Sequence, residues 1–324
     1  MSTNDPDTAG AGANVGGSRP ARELSVPRPS RVPTLPRLHE GAHKGDAGRV
    51  LLLAGSAAMP GAALLCARAA ARGGAGLLTV ASFDRRPLDA MPSQVPEALL
   101  LDLRVLAKGE RSSAALIDAL RGALDERRDD ACAAGPGLGA NKRTRAAVEL
   151  LLERFEGPLL LDADALNVFA GSAASLRRDG ASVVITPHPG EAARLLGREL
   201  PADDEGRTAA ARELAQMTGA VVALKGARTV VTDGEAAELN TTGNPALATG
   251  GSGDVLTGLA ASYLARRTPS WSAYECLRAA VWIHGRAGDL AASTRGEVGT
   301  VASDLIDQLP DAQRRIEVEP EARE

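Results

Sequence analysis

The chain holds 324 residues, 44% apolar and 24% charged, enough for one large α/β domain or two ordinary ones. A net charge of −4, no basic stripe and only 2% aromatic residues exclude a nucleic-acid-binding surface. No uninterrupted apolar stretch reaches the ~20 residues of a membrane-spanning helix, since the longest candidate, 51–80, is broken by Pro60, Arg68 and Arg72.

Residues 1–32 are rich in Gly, Pro, Ser, Asp and Arg, show no apolar period and no signal-peptide run, and read as a disordered arm. Beyond the arm the pattern alternates. Short apolar runs at 49–54, 77–81, 96–103, 131–134, 158–161, 182–186 and 220–224 predict strands. Helical patterns at 60–72, 112–126, 142–155 and 207–217 lie between them, with a shorter one before 182. Continuous apolar strands separated by crossover helices predict a buried, mostly parallel sheet. Two runs, 229–232 and 235–239, flank Asp233-Gly234 and predict a β-hairpin near one edge. Long helices follow over 253–266 and 272–292, and 317–324 reads as a charged, frayed tail. The body, 33–316, shows no internal repeat and is expected to be one three-layer α/β domain. Cys66, Cys132 and Cys276 lie far apart without CxxC spacing and read as reduced core thiols, so a soluble, cytoplasmic protein is expected.

In open parallel sheets ligands bind beyond the carboxyl ends of the strands. Here those ends are polar or Gly-rich: Gly55-Ser56, the run Gly135 to Gly139, the run Asp162 to Asn167, Pro187 to Glu191, and Lys225-Gly226. The most informative stretch is 243–254. Its glycines Gly250, Gly251 and Gly253 precede an apolar-periodic helix, where free amides and the helix dipole attract an anion. Asp254 would face that anion as a general base, and the dipole predicts that it is ionised at neutral pH. The plainer reading makes Ser252 or Asp254 a helix cap.

No GxxxxGK[ST] segment exists, which excludes a P-loop, and Gly135 to Gly139 has GxGxG spacing in place of the dinucleotide fingerprint GxGxxG. Lys225 to Thr229 reads as a solvated turn or a nucleotide contact, and His188, between two prolines, as a rigid residue or a ligand contact. His284 reads as a hydrogen-bonded helix residue. Asp162 and Asp164 end a buried strand and need a magnesium ion, a hydroxyl or a turn as partner. Four scattered histidines exclude a zinc site.

Jointly these segments, with Lys44-Gly45, Met59 to Ala63 and Gly73 to Leu77, resemble the ADP/ATP-dependent NAD(P)H-hydrate dehydratase family over about residues 40 to 310. The resemblance implies a ribokinase-like fold and phosphorylation of the 6-hydroxyl of S-form hydrated NADH or NADPH. Phosphate elimination would then restore the reduced nucleotide. It further implies ADP, with ATP as the alternative, and Mg2+; the metal ligands stay unassigned. Carried over by position, Ala62, Gly137, Gly139, His188 and Asp254 would contact the hydrated dinucleotide, with Asp254 as base. Lys225, Gly226, Ala227, Arg228, Thr229, Asn244 and Gly253 would hold the adenine nucleotide. Ser252 stands where the family commonly has Thr, and Arg228 adds a charge without an evident role. A homo-oligomer is expected, with a separate NAD(P)H-hydrate epimerase as functional partner.

Two other functions fit parts of the pattern. A ribokinase-like kinase for a small alcohol of the hydroxyethylthiazole type shares the anion loop and base, but it needs no dinucleotide-length groove. A non-enzymatic nucleotide sensor would not require Asp254.

Overall fold

The computed structural model describes residues 28–29, 31–266 and 271–318. Two short strands come first, β1 (Arg28–Pro29) and β2 (Leu35–Pro36). Then follow β3 (Arg49–Leu53), α1 (Pro60–Arg72), β4 (Leu77–Ser82), α2 (Arg85–Gln94) and β5 (Leu99–Asp102). The short α3 (Leu103–Leu106) and α4 (Ser113–Glu126) lead to β6 (Ala131–Ala134), α5 (Lys142–Arg154) and β7 (Leu159–Leu161). Next are α6 (Asp164–Asn167), β8 (Val183–Ile185), α7 (Pro189–Leu196), α8 (Asp204–Thr218) and β9 (Val221–Leu224). The chain ends with β10 (Val230–Thr232), β11 (Ala237–Leu239), α9 (Ser252–Ala265), α10 (Ala273–Arg295), α11 (Ala302–Arg314) and β12 (Glu317–Val318).

Among the described residues ten strands form one sheet in the order β1-β11-β10-β9-β8-β7-β6-β3-β4-β5. Strands β3 to β9 pair in parallel, and β10 pairs antiparallel with both β9 and β11. The central strands are apolar on both faces, as a sheet covered twice requires. Val50 and Leu52 pack with α1, α9, α10 and α11 on one face, while Leu51 and Leu53 pack with α4, α5 and α8 on the other. This is the three-layer, mostly parallel architecture expected.

From β3 the chain steps outward to β4 and β5, then returns as β6 on the opposite side of β3. That reversal opens a crevice beyond the carboxyl ends of β3 and β6. Gly55, after β3, donates its amide to the Pro136 carbonyl after β6 at 2.8 Å, so the two loops are tied.

Several details differ from expectation. The hairpin loop holds four residues, because Thr232 pairs with Ala237. The Asp233 carboxylate accepts the amides of Glu235 and Ala236, which stabilises the longer turn over a two-residue one. Helix α2, containing Pro87 and Pro92, and helix α11 were not among the helices expected. The arm boundary at 32 was too far along the chain. Arg28–Pro29 pair with β11, and the Arg31 carbonyl accepts Arg278 at 3.0 Å. Glu317–Val318, inside the expected tail, pair with Leu35–Pro36, a join reinforced by Arg37–Glu317 at 3.2 Å. The remainder of the arm and tail calls lies outside the described residues.

Candidate active site

Helix α9 starts in the segment 249–254. Gly251 is its N-cap in the left-handed conformation, φ 86°, with no side-chain cap. The Ser252 amide bonds the Thr249 carbonyl, while the amides of Gly253 and Asp254 have no hydrogen-bond partner among the described residues. Orphan amides at a helix N-terminus make an anion site. They border a cavity of about 720 Å³ whose wall runs through Asp162, His188, Lys225, Thr242, Ser252 and Asp254. Gly226, Ala227, Thr229, Asn244 and Gly253 also line it, and Leu247, Leu256 and Val281 add apolar surface.

The Asp254 carboxylate accepts no hydrogen bond among the described residues and is not a cap. Burial, then the Asp162 charge, push its pKa from an ordinary 3.8 up to about 7, against the pull of Lys225. The expectation of a fully ionised carboxylate is thereby corrected: desolvation and a like charge outweigh the helix dipole. A carboxylate titrating near neutrality is suited to accept a hydroxyl proton.

Asp162 is buried, and its partners are now visible. Lys225 Nζ donates to Oδ1 at 2.7 Å and Thr257 Oγ1 donates to Oδ2 at 2.8 Å. Lys225 also lies 3.9 Å from Glu191 Oε2. Burial opposes the lysine charge, but Asp162, Glu191 and Asp254 overcome it and raise its pKa above the usual value. Between Asp162 and Asp164 the backbone of Ala163 takes φ 48°, ψ −116°, a conformation disfavoured for a side-chain-bearing residue. Asp164 accepts the Gly139 amide at 2.8 Å and the Asn167 side-chain amide at 3.4 Å.

His188 caps α7: its Nδ1 accepts the amides of Gly190 and Glu191, and the His188 amide donates to Glu191 Oε2 at 2.7 Å. Burial, then Lys225 and Arg194, lower the His188 pKa, so the cavity meets a neutral ring, whose Nε2 lies 3.4 Å from Glu191 Oε1. His284 is buried in the cavity wall and bonds Ser252, as its position on a helix suggested.

The expected contacts divide into two groups. Lys225, Gly226, Ala227, Thr229, Asn244, Gly253, His188 and Asp254 share the cavity. Ala62, Gly137 and Gly139 lie outside its wall, at the crevice beyond β3 and β6. There Gly137, φ 67°, packs so closely that an added Cβ would come within 2.8 Å of Ala62 Cβ and 2.9 Å of the Met59 carbonyl. The loop after β7 bridges the two regions through the Asp164–Gly139 bond. Arg228 stands apart: it is half-exposed, pairs with Asp204 at 2.6 Å and is absent from the cavity wall. The Asn244 side chain is committed to Asp289 at 3.0 Å and to the Ala246 amide at 2.9 Å, so it shapes the loop. Thr257 and Glu191 went unrecognised as site residues. The available signals were the spacing of Thr257 three residues beyond Asp254, on the same helix face, and the position of Glu191 at the end of the His188 turn.

The segment 50–311 matches the family model described as NAD(P)H-hydrate dehydratase. The chain belongs to the NAD(P)H-hydrate dehydratase family. The chain is 41% identical, over 89% of its length, to the bifunctional NAD(P)H-hydrate repair enzyme of Moorella thermoacetica, covering 53% of that protein. It thus spans about half the length of the first curated relatives it matches. Against the ADP-dependent (S)-NAD(P)H-hydrate dehydratase of Neisseria meningitidis it is 35% identical, with 82% of this chain and 85% of that one covered. Among solved structures, the ADP/ATP-dependent dehydratase of Bacillus subtilis, co-crystallised with ATP/Mg2+, is similar at a TM-score of 0.73 and 33% identity. That match covers 87% of this chain and 95% of the other. A ribokinase-like superfamily protein of Enterococcus faecalis is also similar, at a TM-score of 0.73 and 26% identity over 88% of this chain and 93% of that one, so the fold is ribokinase-like.

Among the described residues no dedicated cage of side chains for magnesium is present. Both Asp162 oxygens are taken, and among the described residues no group of three or more His, Cys, Asp or Glu side chains is placed to hold a metal. No helix of the described residues is long and apolar enough to cross a membrane.

Proposed function

We propose that this chain restores NADH and NADPH from the S form of their hydrates in an ADP-dependent dehydration that also accepts ATP. The observation that carries the reading is Asp254: an unpartnered carboxylate with a pKa of about 7, whose own amide and that of Gly253 are the orphans at the head of α9. The adenine nucleotide occupies the 720 Å³ cavity, its base against Leu247, Leu256 and Val281 and its terminal phosphate on the Gly253 and Asp254 amides. The hydrated dinucleotide approaches from the side of Ala62, Gly137 and Gly139, with His188 between the two ligands. Asp254 takes the proton of the 6-hydroxyl as its oxygen bonds to the terminal phosphorus and the nucleotide leaves one phosphate shorter. Phosphate then departs from C6 with its bonding electrons and a ring proton is lost, which restores the dihydronicotinamide.

A divalent ion arriving with the nucleotide would be held by phosphates and water, and no step here depends on protein ligands for it. A separate epimerase supplies the S form from the R hydrate, and the cytoplasm keeps the buried thiols of Cys66, Cys132 and Cys276 reduced. The test is stoichiometry: hydrated NADH with ADP should yield NADH, AMP and free phosphate in equal amounts. A stable phosphorylated product without free phosphate would make the protein a kinase and sink the dehydration.

A further inference from the structure

The reaction above uses Asp254 and the α9 amides, but a buried carboxylate–ammonium pair sits directly against them. Asp162 is 1% exposed and grips both sides of the site at once: Lys225 at the end of β9, and Thr257 on α9, one turn beyond the base. A Cβ added at Gly253 would lie 3.4 Å from Lys225 Nζ and 3.9 Å from Asp162 Oδ2, so the pair abuts the first turn of α9. Without Asp162, the nearest carboxylate to the ammonium would be Glu191, now 3.9 Å away. Buried ion pairs commonly add little net stability over apolar replacements, so stability alone does not account for this one beside a ligand cavity.

We propose that Asp162 is a positioning residue, which anchors the Lys225 ammonium beneath Gly253 to face the transferring phosphoryl group and sets the electrostatic surroundings of Asp254. The inference rests on the proposed reaction and specifies which residues arrange its charge. Phosphoryl transfer depends on cations fixed in advance where negative charge gathers, and a lysine clamped at 2.7 Å needs no rearrangement. Asp254 meets charged groups from two loops: Asp162 and Asp164 after β7, and Lys225 after β9. Glu191 of α7 faces Lys225, and neutral His284 of α10 bonds Ser252. Cys66 of α1 donates its thiol to the Asp254 carbonyl at 3.2 Å and stays protonated through burial. The two aspartates raise and the lysine lowers the proton affinity of Asp254, so removing either partner of the pair must move the base in opposite directions.

The test follows the Asp254 carboxyl by carbon NMR in the nucleotide-free protein, and the pH profile of kcat/KM with hydrated NADH and ADP. Wild type, Asp162→Asn and Lys225→Met are compared. Asp162→Asn should move the carboxyl titration and the acidic limb of the profile to lower pH by about 1 unit, and Lys225→Met should move both to higher pH. In both variants kcat should fall by about 10-fold or more while the KM for hydrated NADH changes less. Unmoved titrations in the two folded variants overturn the proposal. Should either single variant fail to fold, the double variant, which removes the Asp162 and Lys225 charges together, carries the test. It should fold with kcat at least about 10-fold down, and a kcat within twofold of wild type overturns the proposal. Titrations that move as stated in a protein that leaves hydrated NADH untouched support the arrangement and defeat the reaction instead.

Discussion

The imidazole Nε2 of His284 lies 2.9 Å from the carbonyl oxygen of Ser252 and 3.1 Å from its hydroxyl, which ties α10 to the first turn of α9. Nε2 donates to that carbonyl, and burial lowers the His284 pKa from an ordinary 6.5 to about 4. The folded state therefore binds its proton less readily than the unfolded state does. The associated stability is fully present above about pH 6.5 and is lost as pH falls toward 4. A shift of that size corresponds to about 3 kcal/mol. Denaturant unfolding of wild type at pH 7 and pH 4.5 should show most of that loss, and His284→Gln should flatten it. Equal losses in the two proteins would remove His284 from the account.

Asp254 carries the opposite sign. Its folded pKa is raised to about 7, so its contribution is present below about pH 4 and is lost as pH rises through 7. At pH 8 the ionised carboxylate is a burden on the fold. Asp254→Asn should stabilise the protein by about 1–2 kcal/mol at pH 8, less than the full shift implies because the group opens onto the cavity, and by nearly nothing at pH 4. Thermal unfolding at the two pH values checks this. A lower Tm for the variant at pH 8 would show that the carboxylate is a structural partner.

Arg228 pairs with Asp204 at the surface and is not part of the cavity wall. Arg228→Ala should change stability by less than about 1 kcal/mol and leave the KM for ADP within about twofold. A tenfold rise in that KM would return Arg228 to the nucleotide.

Arg28, Pro29 and Arg31 belong to the folded body through β11 and Arg278. Deleting 1–32 should lower Tm by several degrees relative to deleting 1–27, since it removes a strand pairing and leaves Arg278 short of an acceptor. Identical melting of the two truncations would place the boundary back at 32.

The architecture was legible because buried parallel strands write themselves as short apolar runs, and 49–54 and 220–224 match β3 and β9 within a residue or two. The glycines and aspartate of 250–254 were legible for a related reason: orphan amides, a helix start and a carboxylate are adjacent in the chain. Partnerships across the sheet were not. Lys225 and Thr257 lie 63 and 95 residues from Asp162 along the chain, and only the strand order brings them together. The protonation of Asp254 was misjudged for the same reason, since the dipole is a local property while burial and the Asp162 charge are tertiary. Arg228 looked like a nucleotide contact because it neighbours Lys225, yet the turn sends the two side chains to different partners.

The central claim is that Asp254 is the base of a nucleotide-dependent repair of hydrated NADH. Its most direct test is the recovery of reduced-nicotinamide absorbance from hydrated NADH with ADP, measured for wild type and for Asp254→Asn. Wild type should restore NADH, and the folded Asn variant should do so about 10² to 10⁴ times more slowly while still binding ADP. A folded Asn variant retaining more than about a tenth of the wild-type rate, outside the range for loss of a general base, would contradict the account.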